Sequence, residues 1–216
     1  MVAVSSERTV LYLVRHGEAE SNRDGRFGGW SPVPLTDLGR QQATITAAEL
    51  RRREPTVLVT SDVPRARETA APIAEALGLE PRLEPGLRER SLGIFDGLSF
   101  AEAEARYPDV WKRLAARDAT AVPEGGETPD QVYARVGAAL ERVLTDHPGQ
   151  KIAVVTHGLA LFHAFSYVCG LGVPHGEMPV FVLVDNCSIS QFEHKAQRWR
   201  IVSINDTAHL RDLTFG

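Results

Sequence analysis

The sequence predicts an α/β fold: a three-layer α/β/α sandwich with a mostly parallel central sheet and a small helical cap insertion. Short apolar runs without polar alternation are typical of central parallel strands that are buried on both faces. Amphipathic helical patterns lie between these runs or follow them, and strand–helix alternation is typical of parallel sheets. A length of 216 residues with 43% hydrophobic residues fits a single domain over residues 1–216.

Three apolar runs are predicted as buried strands because each is short and rich in Val, Ile or Leu. They are TVLYLVRH (9–16), TVLVTSD (56–62) and KIAVVTHG (151–158). Three later segments have no long helix between them, so they are predicted as further or edge strands. They are MPVFVLVD (178–185), CSISQFEH (187–194) and RWRIVSIND (198–206).

Four helices are predicted from their periodicity and end signals. They cover residues 35–53, 64–78, 128–147 and 158–170. Thr36 is the expected N-cap of the first, and Gly78 the expected C-cap of the second. The stretch from about 85 to 127 is irregular, with short helices near 99–106 and 108–116. We interpret it as a cap over one end of the sheet.

Composition narrows the range of functions. The net charge is −4 and no basic block occurs, so a nucleic-acid partner is not expected. No run approaches the ~18 apolar residues that span a membrane, and the N-terminus lacks the pattern of a secretory signal. We therefore expect a cytoplasmic protein without membrane association. The sequence leaves the oligomeric state open, with a homodimer as one option.

Polar residues follow each of the three buried runs. They are Arg15 and His16 after the first, Ser61, Asp62 and Arg65 after the second, and Thr156, His157 and Gly158 after the third. The carboxyl ends of parallel strands lie on one edge of a sheet, where ligands bind. Two histidines and two arginines that are distant in sequence are therefore predicted to converge on one crevice.

This combination of side chains favours phosphoryl chemistry. Two arginines in one pocket repel each other unless an anion offsets them, and their planar forks suit a phosphate or a carboxylate. Positive neighbours lower the pKa of a histidine and keep its imidazole neutral. A neutral imidazole can attack phosphorus to form a phosphohistidine. The leaving alkoxide then needs a proton, so an acid is expected nearby.

Five ordered segments resemble the motifs of the histidine phosphatase superfamily, the phosphoglycerate mutase-like proteins. The residues that carry the resemblance are LVRHGEAESN (13–22), PLTDLGRQQA (34–43), TSDVPRARETA (60–70), LRERSLGIFDG (87–97) and VVTHG (154–158). Together they extend over most of the chain, which makes the match specific, whereas Arg-His-Gly alone would be weak.

The resemblance implies a role for each matching position. His16 is implied to be the phosphorylated nucleophile and Glu89 the general acid and then base. Arg15, Arg65 and His157 are implied to hold the phosphoryl group. The remaining substrate-binding candidates are Asn22, Phe27, Gly28, Gly158 and Asn186. The implied partner is a small phosphorylated metabolite, with no metal and no cofactor.

Some of these positions have rivals elsewhere in the sequence. Arg67 rivals Arg65, but the Arg-Ala-x-x-Thr-Ala pattern aligns on Arg65. Glu84, Glu18 and Glu20 are rivals of Glu89. Among the other histidines, His163 is expected in the core, whereas His209 could fold back toward the site. The Gly/Pro-rich loop 25–34 is expected to line the substrate end, with Phe27 and Trp30 as apolar walls.

The family contains phosphatases and cofactor-dependent mutases. RFGGW (26–30) is similar to a mutase loop. Against a mutase, the stretch from Glu89 to Glu127 has no room for the long insertion usual in mutases, and PEGGETPDQVYAR (123–135) resembles the phosphatase branch. A metal-independent phosphomonoesterase is therefore the favoured prediction. The alternative is a phosphoglycerate mutase that depends on 2,3-bisphosphoglycerate.

Overall fold

The computed structural model describes residues 7–118, 120–173 and 181–213. Six strands in this part of the chain form one sheet in the order β3-β2-β4-β1-β5-β6. They are β1 (Thr9–Arg15), β2 (Val57–Thr60), β3 (Arg82–Leu83), β4 (Lys151–Thr156), β5 (Ile189–Lys195) and β6 (Arg198–Asp206). The first four strands in sequence pair in parallel, whereas β5 pairs antiparallel with both β1 and β6. The predicted α/β fold with a mostly parallel sheet is thus confirmed.

Helices cover both faces of the sheet. The described residues form α1 (Glu20–Arg23), α2 (Asp37–Arg53), α3 (Pro64–Leu77), α4 (Phe100–Arg106), α5 (Pro108–Ala115), α6 (Pro129–Asp146) and α7 (Gly158–Val168). Inward-facing residues of α6 and α7 share one apolar cluster with the strands, and those of α2 and α3 share a second. Alternate strand residues feed the two clusters: Leu11 and Leu13 join the first, and Val10 and Tyr12 the second. This arrangement gives the three layers.

The helix ends follow from local chemistry. Thr36 and Thr128 accept hydrogen bonds from backbone amides in the first turns of α2 and α6, as N-caps do. Gly78 ends α3 with a φ of 65°, a left-handed conformation that favours glycine.

The cap segment (residues 85–127) lies across loop 25–34. Its helices α4 and α5 pack around Phe95, which is fully buried. Phe27 joins this apolar cluster and exchanges backbone hydrogen bonds with Gly97 and Leu98. The cap and the loop therefore form one surface beside the sheet.

One strand prediction was wrong, and one strand of the sheet was not predicted. Residues 181–185 form no strand, and residues 178–180 lie outside the described part of the chain. The backbone polar groups of this segment bind side chains instead of a sheet ladder: Val184 O accepts from Arg15 and Asp185 N donates to Asn205. The apolar pattern arises because Val184 is buried in the core. The strand that was not predicted is β3. It consists of only two residues, both exposed, and therefore leaves no apolar run in the sequence.

Candidate active site

The polar ends of three strands meet at one edge of the sheet. Arg15 pairs with Thr156 at the ends of β1 and β4, and Thr60 of β2 lies opposite Val155. The residues that follow these strands are therefore side by side, and the ring centroids of His16 and His157 are 5.1 Å apart. Arg65, in the first turn of α3, reaches the same point. The structure brings the four residues together as the parallel topology requires.

The ring of His16 is held at both nitrogens. Nδ1 lies 2.7 Å from Gly17 O, and Nε2 lies 3.2 Å from Arg65 Nε. Because a carbonyl only accepts and a guanidinium only donates, Nδ1 carries the hydrogen and Nε2 presents its lone pair. The residue is only 3% exposed. Burial, followed by the charges of Arg65 and Arg15, lowers the pKa of His16 well below its ordinary value, so the imidazole is neutral.

Two arginines lie beside this ring, Arg65 buried and Arg15 half-buried. Arg65 is 1% exposed and also donates to Gly29 O at 2.8 Å and Ser31 O at 3.3 Å. Arg15 donates from Nη1 to Val184 O at 2.6 Å, while its buried Nε has no partner among the described residues. Burial lowers the pKa of both guanidinium groups. One buried and one half-buried cation, together with an unpaired buried donor, are an arrangement that an anion would stabilise.

His157 lies behind His16 and is fully buried. Its Nε2 is 2.9 Å from Ser61 Oγ, while Nδ1 has no partner in the described part of the chain. Burial, together with the charge of Arg65, lowers the pKa of His157 well below its ordinary value. Ser61 follows β2 and thus fixes the ring of a residue that follows β4.

Glu89 contacts the N-terminus of α7. Its Oε1 accepts from Leu159 N at 3.1 Å, from Ala160 N at 3.2 Å and from Arg90 N at 2.9 Å. Glu89 also lines the same cavity as His16. The dipole of α7 and its free amides thus hold the carboxyl group in place.

Arg135 and Glu127 fix the peptide that carries Glu89. Arg135 donates to Gly86 O, Arg88 O and Glu89 O at 2.7–3.0 Å, and it binds both carboxylate oxygens of Glu127. Glu127 also accepts from Ser91 N. Neither residue was predicted to have a role, although both lie in the PEGGETPDQVYAR segment (123–135).

A cavity of about 200 Å³ opens at this edge of the sheet. Its lining combines polar groups with apolar side chains from the cap segment and loop 25–34. The lining residues are Arg15, His16, Ser21, Asn22, Arg26, Phe27, Gly28, Gly29, Arg65, Glu89, Arg90, Leu92, Phe100 and Leu159. Seven of the predicted site residues are thus on its wall, and such a volume suits a small ligand.

Other predicted positions lie one step away from the wall. Asn186 Nδ2 donates to His16 O at 2.9 Å and lies 3.4 Å from Asn22 Oδ1, so it supports both residues from behind. Gly158 begins α7, where a Cβ would be at ordinary contact distance, 3.7 Å, from Arg15. Trp30 is outside the lining, which corrects its expected place as an apolar wall.

The structure also shows where the rival arginine and the other histidines lie. Arg67 is exposed, so Arg65 is the arginine in the site. His163 is buried in α7 as expected. His209 contacts Thr46 Oγ1 and Cys187 O behind the site and does not line the cavity.

Within the described ranges, no cluster of metal-ligating side chains occurs, and no helix is long and apolar enough to cross a membrane.

The chain is similar in sequence to proteins of one known family. The model of the histidine phosphatase superfamily (branch 1) matches residues 11–207. A probable phosphoglycerate mutase of Yersinia enterocolitica is 34% identical over 93% of this chain and 94% of its own. A metal-independent phosphoserine phosphatase of Arabidopsis thaliana is 33% identical over 99% of this chain and 88% of its own.

Solved structures show the same likeness. A mycobacterial glucosyl-3-phosphoglycerate phosphatase has a TM-score of 0.82 and is 31% identical, over 93% of this chain and 100% of its own. YhfR of Bacillus stearothermophilus has a TM-score of 0.86 at 27% identity, over 94% of this chain and 99% of its own. The chain therefore belongs to the histidine phosphatase superfamily. Within it, the phosphatases among the relatives support a phosphatase enzyme.

Proposed function

We propose that the protein is a metal-independent phosphomonoesterase that hydrolyses a small phosphorylated metabolite through a phosphohistidine on His16. The observation that carries the proposal is the neutral imidazole of His16, which lines the cavity together with Arg15 and Arg65 and whose unprotonated Nε2 accepts from Arg65 Nε. The name of the Arabidopsis relative, a metal-independent phosphoserine phosphatase, supports it independently.

In the first step, His16 Nε2 attacks phosphorus and the bond from phosphorus to the ester oxygen breaks. Arg15, Arg65 and His157 bind the phosphoryl oxygens, with Asn22 adding a hydrogen bond. Charge stabilisation and positioning supply most of the catalysis in such transfers. Glu89 gives its proton to the leaving oxygen, so the alcohol departs neutral.

In the second step, water attacks phosphorus on the opposite side from His16. Glu89, now a carboxylate, takes a proton from this water, and the bond between phosphorus and Nε2 breaks. Inorganic phosphate leaves, His16 regains its lone pair, and Glu89 regains its proton. The sum is one ester and one water converted to one alcohol and one phosphate.

Hydrolysis of p-nitrophenyl phosphate in EDTA tests the proposal. We expect turnover by the wild type and a loss of at least about a thousandfold in His16→Ala, because the nucleophile is removed. Arg67→Lys is the matched control, since this exposed arginine should leave turnover intact. A folded wild type that is inactive between pH 5 and 8 would refute a phosphomonoesterase.

The intermediate has its own test. Phosphohistidine survives alkali and is lost in acid, so rapid mixing with substrate followed by an alkaline quench should leave phosphate on the His16 peptide. Mass spectrometry should find the modification in the wild type and none in His16→Ala. Turnover without any phosphorylated peptide would argue for direct attack by water.

A phosphoglycerate mutase is the second candidate, supported by the name of the Yersinia relative and by the RFGGW loop. It would return the phosphoryl group from His16 to the other hydroxyl of phosphoglycerate. The assay is conversion of 3-phosphoglycerate to 2-phosphoglycerate with 2,3-bisphosphoglycerate present. Release of inorganic phosphate without isomerisation would decide for the hydrolase.

A further inference from the structure

Trp30 makes contacts that the reaction above does not use. Its indole Nε1 donates to Glu89 O at 2.7 Å, and its ring lies 4.9 Å from the guanidinium carbon of Arg88. Arg88 in turn binds both carboxylate oxygens of Asp62, which follows β2. The indole is therefore held against the peptide that carries the candidate acid, although Trp30 is 43% exposed and outside the core.

The backbone on either side of Trp30 binds Arg65, the side chain proposed to hold the phosphoryl group. Gly29 O accepts from Arg65 Nη2 at 2.8 Å, and Ser31 O accepts from Arg65 Nη1 at 3.3 Å. The amide of Trp30 itself donates to Asp96 Oδ2 at 3.2 Å, which fixes the segment to the cap. Residues 29–31 thus touch Arg65 through their backbone and Glu89 through one side chain.

We propose that Trp30 is a positioning residue that sets the placement of Glu89 relative to Arg65. The proposal rests on the proposed function, in which Arg65 holds the phosphoryl group and Glu89 protonates the leaving oxygen. A proton donor must lie within hydrogen-bond reach of that oxygen, and a misplacement of about 1 Å can cost about a hundredfold in rate.

The fold does not depend on this contact. Glu89 O also accepts from Arg135 Nη2 at 2.8 Å, so α6 still holds the peptide when the indole donor is removed. In Trp30→Phe, an aromatic ring remains to stack on Arg88 while the hydrogen bond to Glu89 O is lost. This variant isolates the positioning contact from the packing.

The expected signature depends on the leaving group. An ester with a poor leaving group requires the proton from Glu89, whereas p-nitrophenolate departs with little help. Loss of positioning at Glu89 should therefore slow phenyl phosphate more than p-nitrophenyl phosphate. A general loss of structure or of phosphate binding would slow both esters equally.

The experiment compares kcat/KM for the two esters in the wild type, Trp30→Phe and Trp199→Phe. Trp199 lies on β6, far from the site in the sheet, and is the matched control. We expect Trp30→Phe to lose about tenfold or more on phenyl phosphate, with a smaller loss on p-nitrophenyl phosphate, because a misplaced Glu89 protonates the leaving oxygen less effectively. Equal losses on both esters, or no loss, would overturn the proposal.

A wild type that hydrolyses neither ester would overturn the proposed function instead. The coupling between Arg65 and Trp30 is then measured by fluorescence in the double variant Trp111→Phe/Trp199→Phe. Of the three tryptophans in the sequence, this variant keeps only Trp30. Inorganic phosphate that binds Arg65 should shift the Trp30 emission through the carbonyls of Gly29 and Ser31. Saturation with phosphate, measured by calorimetry, without an emission change would overturn the coupling.

Discussion

His16 and His157 are both buried, yet their ring nitrogens are paired differently. Both nitrogens of His16 have protein partners. In His157, Nε2 pairs with Ser61 Oγ, whereas the buried Nδ1 has no partner in the described ranges. If the Ser61 hydroxyl donates to Nε2, Nδ1 carries the hydrogen and can donate to a phosphoryl oxygen. Ser61 would then select the tautomer of His157 that binds an anion.

Replacing Ser61 by alanine tests this arrangement. We expect Ser61→Ala to lower kcat/KM on p-nitrophenyl phosphate about tenfold, because His157 loses the bond that fixes its ring. Weaker inhibition by inorganic phosphate should accompany the loss. Ser188→Ala is the matched control, since Ser188 is also buried but its hydroxyl has no partner among the described residues. Equal effects in the two variants would show that burial of the hydroxyl alone matters.

At the level of elements, the loop after β1 that carries His16 packs closely against the first turn of α2. A Cβ on Gly17 would lie 2.5 Å from Gly39 O, and a Cβ on Gly39 would lie 2.0 Å from Glu18 O. Real Cβ atoms do not approach backbone so closely, so neither position has space for a side chain. The absence of a side chain at Gly17 and Gly39 thus allows the loop and the helix to approach each other.

Gly39→Ala should therefore destabilise the protein. Overpacking of this kind typically costs about 1–3 kcal/mol, and for a chain of this size each kcal/mol lowers Tm by about 2–4 °C. Hydrolysis should weaken as well, because the loop that carries His16 must move. Thermal unfolding followed by circular dichroism measures the effect, with exposed Thr44→Ala on the same helix as control. A Tm equal to that of the wild type would contradict this close packing.

Much of this arrangement could be predicted because it depends on local patterns. Apolar runs that end in polar residues gave the strands and the convergence of His16, Arg65 and His157. Hydrogen bonds between distant elements could not be predicted, such as the one that Gly17 N donates to Thr69 Oγ1 at 3.0 Å. Nothing in the sequence near Arg135 indicates which carbonyls it will bind, since that depends on the path of another loop.

Over the whole molecule, buried histidines link stability to pH. Burial is the largest cause that lowers the pKa of His16, His157, His163 and His209. Each binds a proton more readily in the unfolded chain, where its pKa is about 6.5. The unfolded state therefore takes up more protons below about pH 6.5, and the free energy of unfolding falls there as pH decreases. Above that pH the histidines are neutral in both the folded and the unfolded state, and their contribution to the free energy of unfolding is fully present.

His163 allows the pH dependence of the free energy of unfolding to be measured without changing His16 or His157. It is 4% exposed in α7, and burial, with Arg90 and Arg135 nearby, lowers its pKa to about 4. Lowering the pH from about 7.5 to 5 should cost about 2 kcal/mol through this residue alone, because protonation favours the unfolded chain. Urea unfolding of His163→Leu should accordingly show a pH dependence smaller by that amount. Ser166→Ala, a buried change on the same helix without a titrating group, should keep the wild-type dependence, and an unaltered slope in His163→Leu would refute the assignment.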